Sequence, residues 1–519
     1  MKIILAGFNL DKTTINEFRN FIREVAKKLD KNYFLKLNPL EKQHLLDQLS
    51  QKAYELIQRN NFTPETISAA YARISRNPKP VNELREIARQ EVDRARKSNQ
   101  NIIFGLGHSS VAEHATFNFD VIGISRLAVE TIEHFRLASY TEKSQRYILF
   151  QDDFTVPQEI KNTNFEKEFI SLIREQNQTY HQLYKILRPY FFKKYSVLAE
   201  NPDKHPKLEG LAKEDARYVI SLATQTQLGM TVNARTLENM ISKCATHPLA
   251  EVREYAKKLY DATEEIAPSI IKYTEPSDYQ KFKRKDIYEF ISHYELQKNG
   301  ESQETEVELL EYPENADDEV LSTLLFRFFQ VCKKTANNFV KSMNLEEKKV
   351  FYQTIYKNIN SWDSVLREFE FVNFTFQLIV SAGNYGQLKR HRMVSIIPQD
   401  YDISLGCTVP ESIKATGQEY IFWKIIEKTN KIYEKLHREN PQIASYVLTN
   451  SHRRRVLLKI NLRELYHFSR LREDEHAQWD IRQIATKMHN LVADKLPLAA
   501  ALLGGKDKFK NVYEKFMKA

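Results

Sequence analysis

The side chains best equipped for chemistry in this chain are arginines set among hydroxyls, amides and a few histidines. From His134 to Tyr147 the sequence HFRLASYTEKSQRY gathers Arg136, Ser139, Glu142, Ser144, Gln145 and Arg146 into one short stretch. Guanidinium forks and serine hydroxyls this close together suit a phosphate, because they offer several charge-assisted donors to one anion. A second cluster reads Gln387-Leu388-Lys389-Arg390-His391-Arg392. A third runs from Phe468-Ser469-Arg470-Leu471-Arg472 into His476-Ala477-Gln478-Trp479. Taken alone, Arg472 could be an exposed helical ion pair with Glu473 or Glu475. A lone histidine such as His108 is usually a satisfied structural residue. What decides between these readings is how the clusters recur along the chain.

The elements that must carry them follow from hydrophobic period. Ala115, Phe117, Phe119 and Val121 alternate with Thr116, Asn118 and Asp120, the pattern of a half-buried strand. Ser125 and Arg126 then open a helix with Leu127, Ala128, Ile132 and Phe135 on one face, and it ends at the first cluster. Residues 164–195 form a long amphipathic helix, 203–207 a polar break, and about 411–437 a second long helix. Residues 12–60 hold two helical runs, the first with a capping-box pattern at Thr14-x-x-Glu17. Thr63-Pro64 supplies an N-cap and a first-turn proline for the next helix. The apolar start, MKIILAGFNLD, is too short for a signal or membrane helix and reads as a strand. Residues 296–318 are acidic and polar and read as a linker. The basic run His452 to Arg455 is either a solvated face or a nucleic-acid patch.

Composition bounds the class. At 519 residues the chain is too long for one ordinary core, so two or three domains are expected. A hydrophobic share of 42% beside 28% charged residues argues for a soluble, globular protein. The three cysteines, Cys244, Cys332 and Cys407, lie far apart. They leave neither a disulfide framework nor a zinc site, and they point to a cytoplasmic compartment. A net charge of +9 fits an enzyme for anionic nucleotides, a nucleic-acid binder, or simply a lysine-rich surface.

The pattern then repeats. Glu370-Phe371-Val372-Asn373-Phe374-Thr375-Phe376 echoes Glu113-His114-Ala115-Thr116-Phe117-Asn118-Phe119, and Asn461-Leu462-Arg463 echoes Asn233-Ala234-Arg235. The chain reads as a tandem duplication with both copies diverged. The first cluster resembles the signature of the flavin-dependent thymidylate synthases, Arg-His-Arg-x-x-Ser followed by Ser-x-Arg, with its front half altered. An intact front half stands downstream as Arg390-His391-Arg392-Met393-Val394-Ser395. Gly107 to His114 is similar to the family's Gly-His-x-Thr/Ser-x-x-Glu-His segment. Tyr71-Ala72-Arg73-Ile74-Ser75, placed within a helix, resembles a segment whose serine lies near the flavin. Thr231 to Asn239 resembles the family's Val-Asn-Ala-Arg-Ser-Leu-x-Asn block, and Arg217, eighteen residues before Arg235, stands where a phosphate-binding arginine is expected.

The losses are complementary. In the first copy Cys244 occupies the place of the catalytic arginine, whereas the second copy keeps Arg472 ahead of His476-Ala477-Gln478-Trp479. In the second copy Asp402 and Ser445 replace the phosphate-binding arginines that the first copy keeps as Arg146 and Arg217, and Pro398 replaces the glutamate. The resemblance implies active sites built between copies, with one complete site for deoxyuridylate (dUMP). Glu142, Ser144, Gln145, Arg146 and Arg217 would come from the first copy. Gln387, Arg390 and the catalytic Arg472 would come from the second.

It also implies an FAD site. His108, Ser110, Glu142, Asn233, Arg235 and Asn239 would contribute from the first copy. Arg390, His391, Arg392, Asn461, Arg463 and His467 would contribute from the second. NADPH and methylenetetrahydrofolate would be co-substrates, and two chains would form a pseudo-tetramer, with no membrane partner and nucleic acid an unlikely one. The fold implied is α+β: a helical extension over 1–61, copies over 62–295 and 319–519, and a linker over 296–318. Each copy is a small antiparallel sheet flanked by long helices. Two other readings compete, a catalytically inactive nucleotide- or RNA-binding homologue and flavin-dependent methylation of another uracil, for example in RNA.

Overall fold

The computed structural model describes residues 1–59, 62–294 and 305–518. It has the α+β class expected, with two four-stranded antiparallel sheets. The first orders its strands β1 (Lys2–Phe8), β2 (Thr116–Ser125), β4 (Gln225–Asn233), β3 (Ala138–Glu142). The second orders β5 (Val307–Glu311), β6 (Asn373–Ser381), β8 (Arg453–Asn461), β7 (Ser395–Pro398). One order maps onto the other strand for strand, so the duplication is one of fold. Among the described residues no helix is long and apolar enough to cross a membrane.

The chain divides into two compact units. The first comprises Met1–Ser144, Asp153–Thr163 and Thr224–Glu295. Its strands alternate as their sequences require: Phe117, Phe119 and Val121 of β2 and Leu228, Met230 and Val232 of β4 are buried. Gly123, at φ 71°, sits in the bulge where β2 slips register against β4 between Ile122 and Ile124. Each helix that follows a long strand starts on a side-chain cap. The Ser125 hydroxyl accepts from the Ala128 N–H, and the Asn233 side chain accepts from the Thr236 N–H.

Several expectations shift here. The first helix, Lys12–Lys28, is capped by Asp11 and not through Thr14 and Glu17, because Asp11 reaches the Thr13 N–H. Its first turns are fastened to the helix Val81–Gln90 by Arg85–Asp11 and Arg89–Glu17 ion pairs. The segment 1–61 is therefore not purely helical, since β1 is the edge strand of the sheet. Ser75 lies in an exposed 3-10 turn, Ile74–Arg76, after the helix Glu65–Arg73 has ended.

The second unit comprises Gln145–Asp152, Asn164–Ala223 and Leu296–Ala519. Its sheet shares one hydrophobic core with the following helices, through Phe374, Phe376, Leu378, Leu458, Ile460, Leu465 and Ile484. The long helices Glu166–Lys194 and His205–Ala216 belong by sequence to the first copy, yet they pack in this unit. Gln176 donates to the Thr429 hydroxyl and to the Val447 carbonyl, both at 2.9 Å, on and beside the helix Glu419–Glu439.

Below these helices two corresponding loops exchange backbone hydrogen bonds. Leu222 N–H donates to the Leu448 carbonyl and Asn450 N–H to the Ile220 carbonyl. Ala223 N–H donates to the Tyr446 carbonyl and Ser451 N–H to the Tyr218 carbonyl. Bonds that recur in reciprocal pairs are what an isologous, two-fold contact produces, here within one polypeptide.

The linker expectation is corrected in part. Residues 296–304 lie outside the described residues, but β5 and the start of the helix Ala316–Phe329 fall within 305–318, where β5 pairs with β6. The second long helix is broken at Gly417 (φ 68°) into Glu411–Ala415 and Glu419–Glu439. The basic run His452 to Arg455 is neither a solvated face nor a nucleic-acid patch. His452 is buried against Asn430, and Arg454 is buried between the rings of Tyr385 and Tyr401. Arg455 pairs with Asp402 at 3.6 Å.

Candidate active site

The second unit contains the arginine cluster. Asn461 caps the helix Leu462–Arg472 by accepting from the Glu464 N–H, and that helix delivers Arg472 at its last turn. Ser381 caps the short helix Ala382–Leu388, which places Gln387 and, just beyond it, Arg390 and His391. Arg472 Nε donates to His391 Nε2 at 2.8 Å, and its Nη2 donates to the Gln387 carbonyl at 3.3 Å. His391 must therefore carry its proton on Nδ1, which faces Glu464 Oε1 at 3.5 Å. Burial first, then the charges of Arg472 and His467, push His391 well below the usual histidine range, so it stays neutral.

Arg146 reaches this cluster from the first copy. It pairs with the buried Glu214 and donates to the His476 carbonyl at 3.3 Å. Arg472 feels the result: burial, followed by the charges of Arg390 and Arg146, lowers its guanidinium to about 10. Glu214 offsets part of this positive charge, and a bound anion would offset more.

Arg217 is buried at the end of the helix His205–Ala216, and its carbonyl accepts from Asn450 Nδ2 at 2.9 Å. Asn450 Nδ2 also donates to Gln145 Oε1 at 3.2 Å. Gln145, Arg146, Arg217, Gln387, Arg390, His391 and Arg472 thus all belong to one unit. Glu142 and Ser144 belong to the other. Glu142 is there in a buried 2.5 Å ion pair with Arg126, which occupies the carboxylate assigned to nucleotide and flavin.

The residues assigned to flavin divide likewise. His108 and Ser110 are exposed at the 3-10 turn Ser109–His114, and Asn239 is exposed on the helix Ala234–Cys244. Asn233 and Asn461 each spend their side-chain oxygen on a helix cap. Arg235 pairs with Glu113 at 2.5 Å and Arg463 with Glu370 at 2.9 Å, the same ion pair in each copy. Arg390, Arg392 and His467 are exposed beside buried His391, a donor set whose chemistry suits an anionic cofactor. The atoms of His391, Glu464 and His467 lie close enough to hold a metal ion. A dication there would face Arg472, already hydrogen-bonded to His391. In the first copy Cys244 is buried, and burial pushes its thiol up to about 12.

Sequence reasoning missed a second layer beneath the arginines. Fully buried Tyr218 stacks on Trp479, with centroids 5.5 Å apart, and donates to Asp480 Oδ2 at 2.8 Å. Asp480 also accepts from Ser381 and Asn384. Burial pushes its carboxyl up while these donors pull it back. Trp479 Nε1 donates to Asp215, which also accepts from Ser412. Burial drives Asp215 up to about 7. The only signal for these residues was adjacency to motif positions: Tyr218 follows Arg217, and Asp480 follows Trp479.

The chain is similar to known proteins in four respects. The pattern of the thymidylate synthase complementing protein family matches residues 55–269 and again 308–498. A flavin-dependent thymidylate synthase of Clostridium tetani is 32% identical over 218 residues, 41% of this chain and 83% of that one. UPF0159 protein Ta1429 of Thermoplasma acidophilum is 24% identical over 482 residues, 84% of this chain and 94% of that one. Among solved structures, the flavin-dependent thymidylate synthase of Helicobacter pylori complexed with FAD and dUMP is similar at 18% identity and a TM-score of 0.30. That match covers 41% of this chain and 97% of the other.

Proposed function

The chain belongs to the thymidylate synthase complementing protein family, and from that premise we propose that it is an FAD-dependent thymidylate synthase. It would methylate dUMP to dTMP at a site shared by its two copies, with methylenetetrahydrofolate as carbon donor and NADPH as reductant. The observation that carries this reading is the meeting of Arg146, from the first copy, with Arg390 and Arg472, from the second, in one unit. Three guanidiniums gathered at one place favour an anion, and a nucleotide 5′-phosphate supplies it.

In this reading Arg146, Arg217 and Arg390 hold the phosphate, with Gln145 and Gln387 adding neutral polar contacts. The family resemblance assigns Glu142 and Ser144 to the same nucleotide. Arg472 lies on the uracil edge and stabilises the negative charge that builds as C5 turns nucleophilic. A placed donor of this kind is worth about 3 kcal/mol. Neutral His391 accepts from Arg472 Nε and so fixes the plane of the guanidinium without competing for its charge. Arg390, Arg392, His391 and His467 would hold FAD from the second copy. His108, Ser110, Asn233, Arg235 and Asn239 would do so from the first, with Asn461 and Arg463 completing the set. Reduced FAD supplies the hydride. Two chains would pair to give a pseudo-tetramer working in the cytoplasm.

The test uses the full-length protein. It should purify yellow, release FAD on denaturation and oxidise NADPH in a dUMP-dependent reaction. Arg472→Ala should abolish turnover while Cys244→Ala leaves it nearly intact. Equal losses in the two variants would refute the division of labour, and a colourless protein that binds dUMP would favour an inactive nucleotide-binding homologue.

A further inference from the structure

Beneath the arginines runs a line of hydrogen bonds whose direction is set at every step. It starts at Asp480, fully buried on the helix Trp479–Ala493. The Ser381 hydroxyl accepts the Asn384 N–H at 3.0 Å, so its proton goes to Asp480 Oδ2 at 2.6 Å. Asn384 Nδ2 donates to Asp480 Oδ1 at 2.8 Å. An acceptor-only carboxylate satisfies these neighbours, so Tyr218 must donate its proton to Oδ2. The Tyr218 oxygen then accepts from Gln478 Nε2 at 2.8 Å.

Gln478 is held at both ends of its amide. Its Oε1 accepts the Ile481 N–H at 3.4 Å as a helix cap, and it also accepts Gln387 Nε2 at 3.2 Å. Amide orientation is settled by such networks, and here each link excludes the flipped alternative. Gln387 consequently spends one of its two amide N–H donors on Gln478, which holds Nε2 on the relay side and turns Oε1, an acceptor, to the other side of the amide. Its own carbonyl meanwhile accepts from Arg472 Nη2. The half-buried Gln387 thus presents an oxygen beside the arginine proposed to meet the uracil.

We propose that the Asp480–Tyr218–Gln478 relay orients the Gln387 amide as a hydrogen-bond acceptor toward the nucleotide and so selects for a nucleotide donor. This rests on the proposed dUMP site. Apart from its phosphate, deoxyuridylate has two donors, the uracil N3–H and the 3′-hydroxyl. Tyr218 comes from the first copy and the other relay members from the second, so the selection is set by the contact between copies. Tyr218, Gln478 and Asp480 are positioning residues that act through Gln387. A site built to pair with a substrate donor rejects an analogue lacking it far more strongly than a site of matching shape alone.

The experiment measures equilibrium binding of dUMP, dCMP and 2′,3′-dideoxyuridylate to the full-length protein, its Gln478→Leu variant and its Gln387→Leu variant. The dCMP arm removes the N3 donor, and the dideoxy arm removes the 3′ donor. The wild-type chain should prefer dUMP over one of these analogues. Both variants should cut that preference about tenfold or more, one hydrogen bond's worth, with dUMP weakened and that analogue little changed. Gln387→Leu sits at a half-buried position and leaves the buried relay intact, so it reads the same acceptor if Gln478→Leu does not fold. Equal weakening of all three ligands, or preferences unchanged in Gln387→Leu, overturns the relay. A wild-type chain that does not bind dUMP overturns the nucleotide site itself, and the relay with it.

Discussion

Replacing Arg472 by methionine separates catalysis from stability and gives the sharpest test of the site. The guanidinium is mostly buried, with Arg390 and Arg146 nearby, and is lowered to about 10. Measured from the usual arginine range, that corresponds to about 3 kcal/mol held against the charge. Below the lowered value both the folded and unfolded chains carry the proton, so the penalty is present in full at neutral pH. Methionine removes the charge and keeps the stem's packing. It also loses the bonds to His391 and the Gln387 carbonyl, at about 1 kcal/mol each. The ligand-free variant should therefore match the wild type or exceed it by about 1 kcal/mol in urea denaturation.

Turnover should meanwhile fall by about 10²- to 10³-fold, the cost of one transition-state donor. The wild type should gain about 2.7 kcal/mol from dUMP at a hundred times its dissociation constant, and the variant should gain less at the same concentration. A ligand-free variant weaker by about 3 kcal/mol or more would mark Arg472 as half of a compensated buried pair. The buried charge would then stabilise the fold, and the site would not be strained for an anion.

Three further outcomes follow. Arg146→Ala should raise the dUMP KM by about tenfold or more, as loss of a charge-assisted phosphate contact, with a smaller change in kcat. Burial holds Asp215 near 7, so the unfolded chain ionises first and stability falls as pH rises from the carboxylate range to about 7. Asp215→Asn should flatten that fall, which amounts to about 4 kcal/mol, in denaturation curves taken across the window. Cys244, buried with its thiol near 12, should resist iodoacetamide in the native protein and react only on unfolding.

Local patterns in the sequence determined a good deal. Alternation in Phe117, Phe119 and Val121 made β2, and Ser125 set the cap after it, because period and capping are properties of adjacent residues. The repeat of Asn233-Ala234-Arg235 as Asn461-Leu462-Arg463 betrayed the duplication. Yet both asparagines turned out to spend their oxygens on helix caps, a role that a resemblance to flavin-binding blocks could not distinguish.

Tertiary structure alone decided partners distant in the chain. An amphipathic helix declares its apolar face but not what will cover it, so nothing in residues 164–195 told that Glu166–Lys194 packs with Glu419–Glu439. The same holds for Glu142, claimed by Arg126, and for Tyr218, whose proton goes to Asp480 more than 250 residues away. Buried polar groups must find partners wherever the fold brings them, and that pairing is a property of three-dimensional packing that no local spacing encodes.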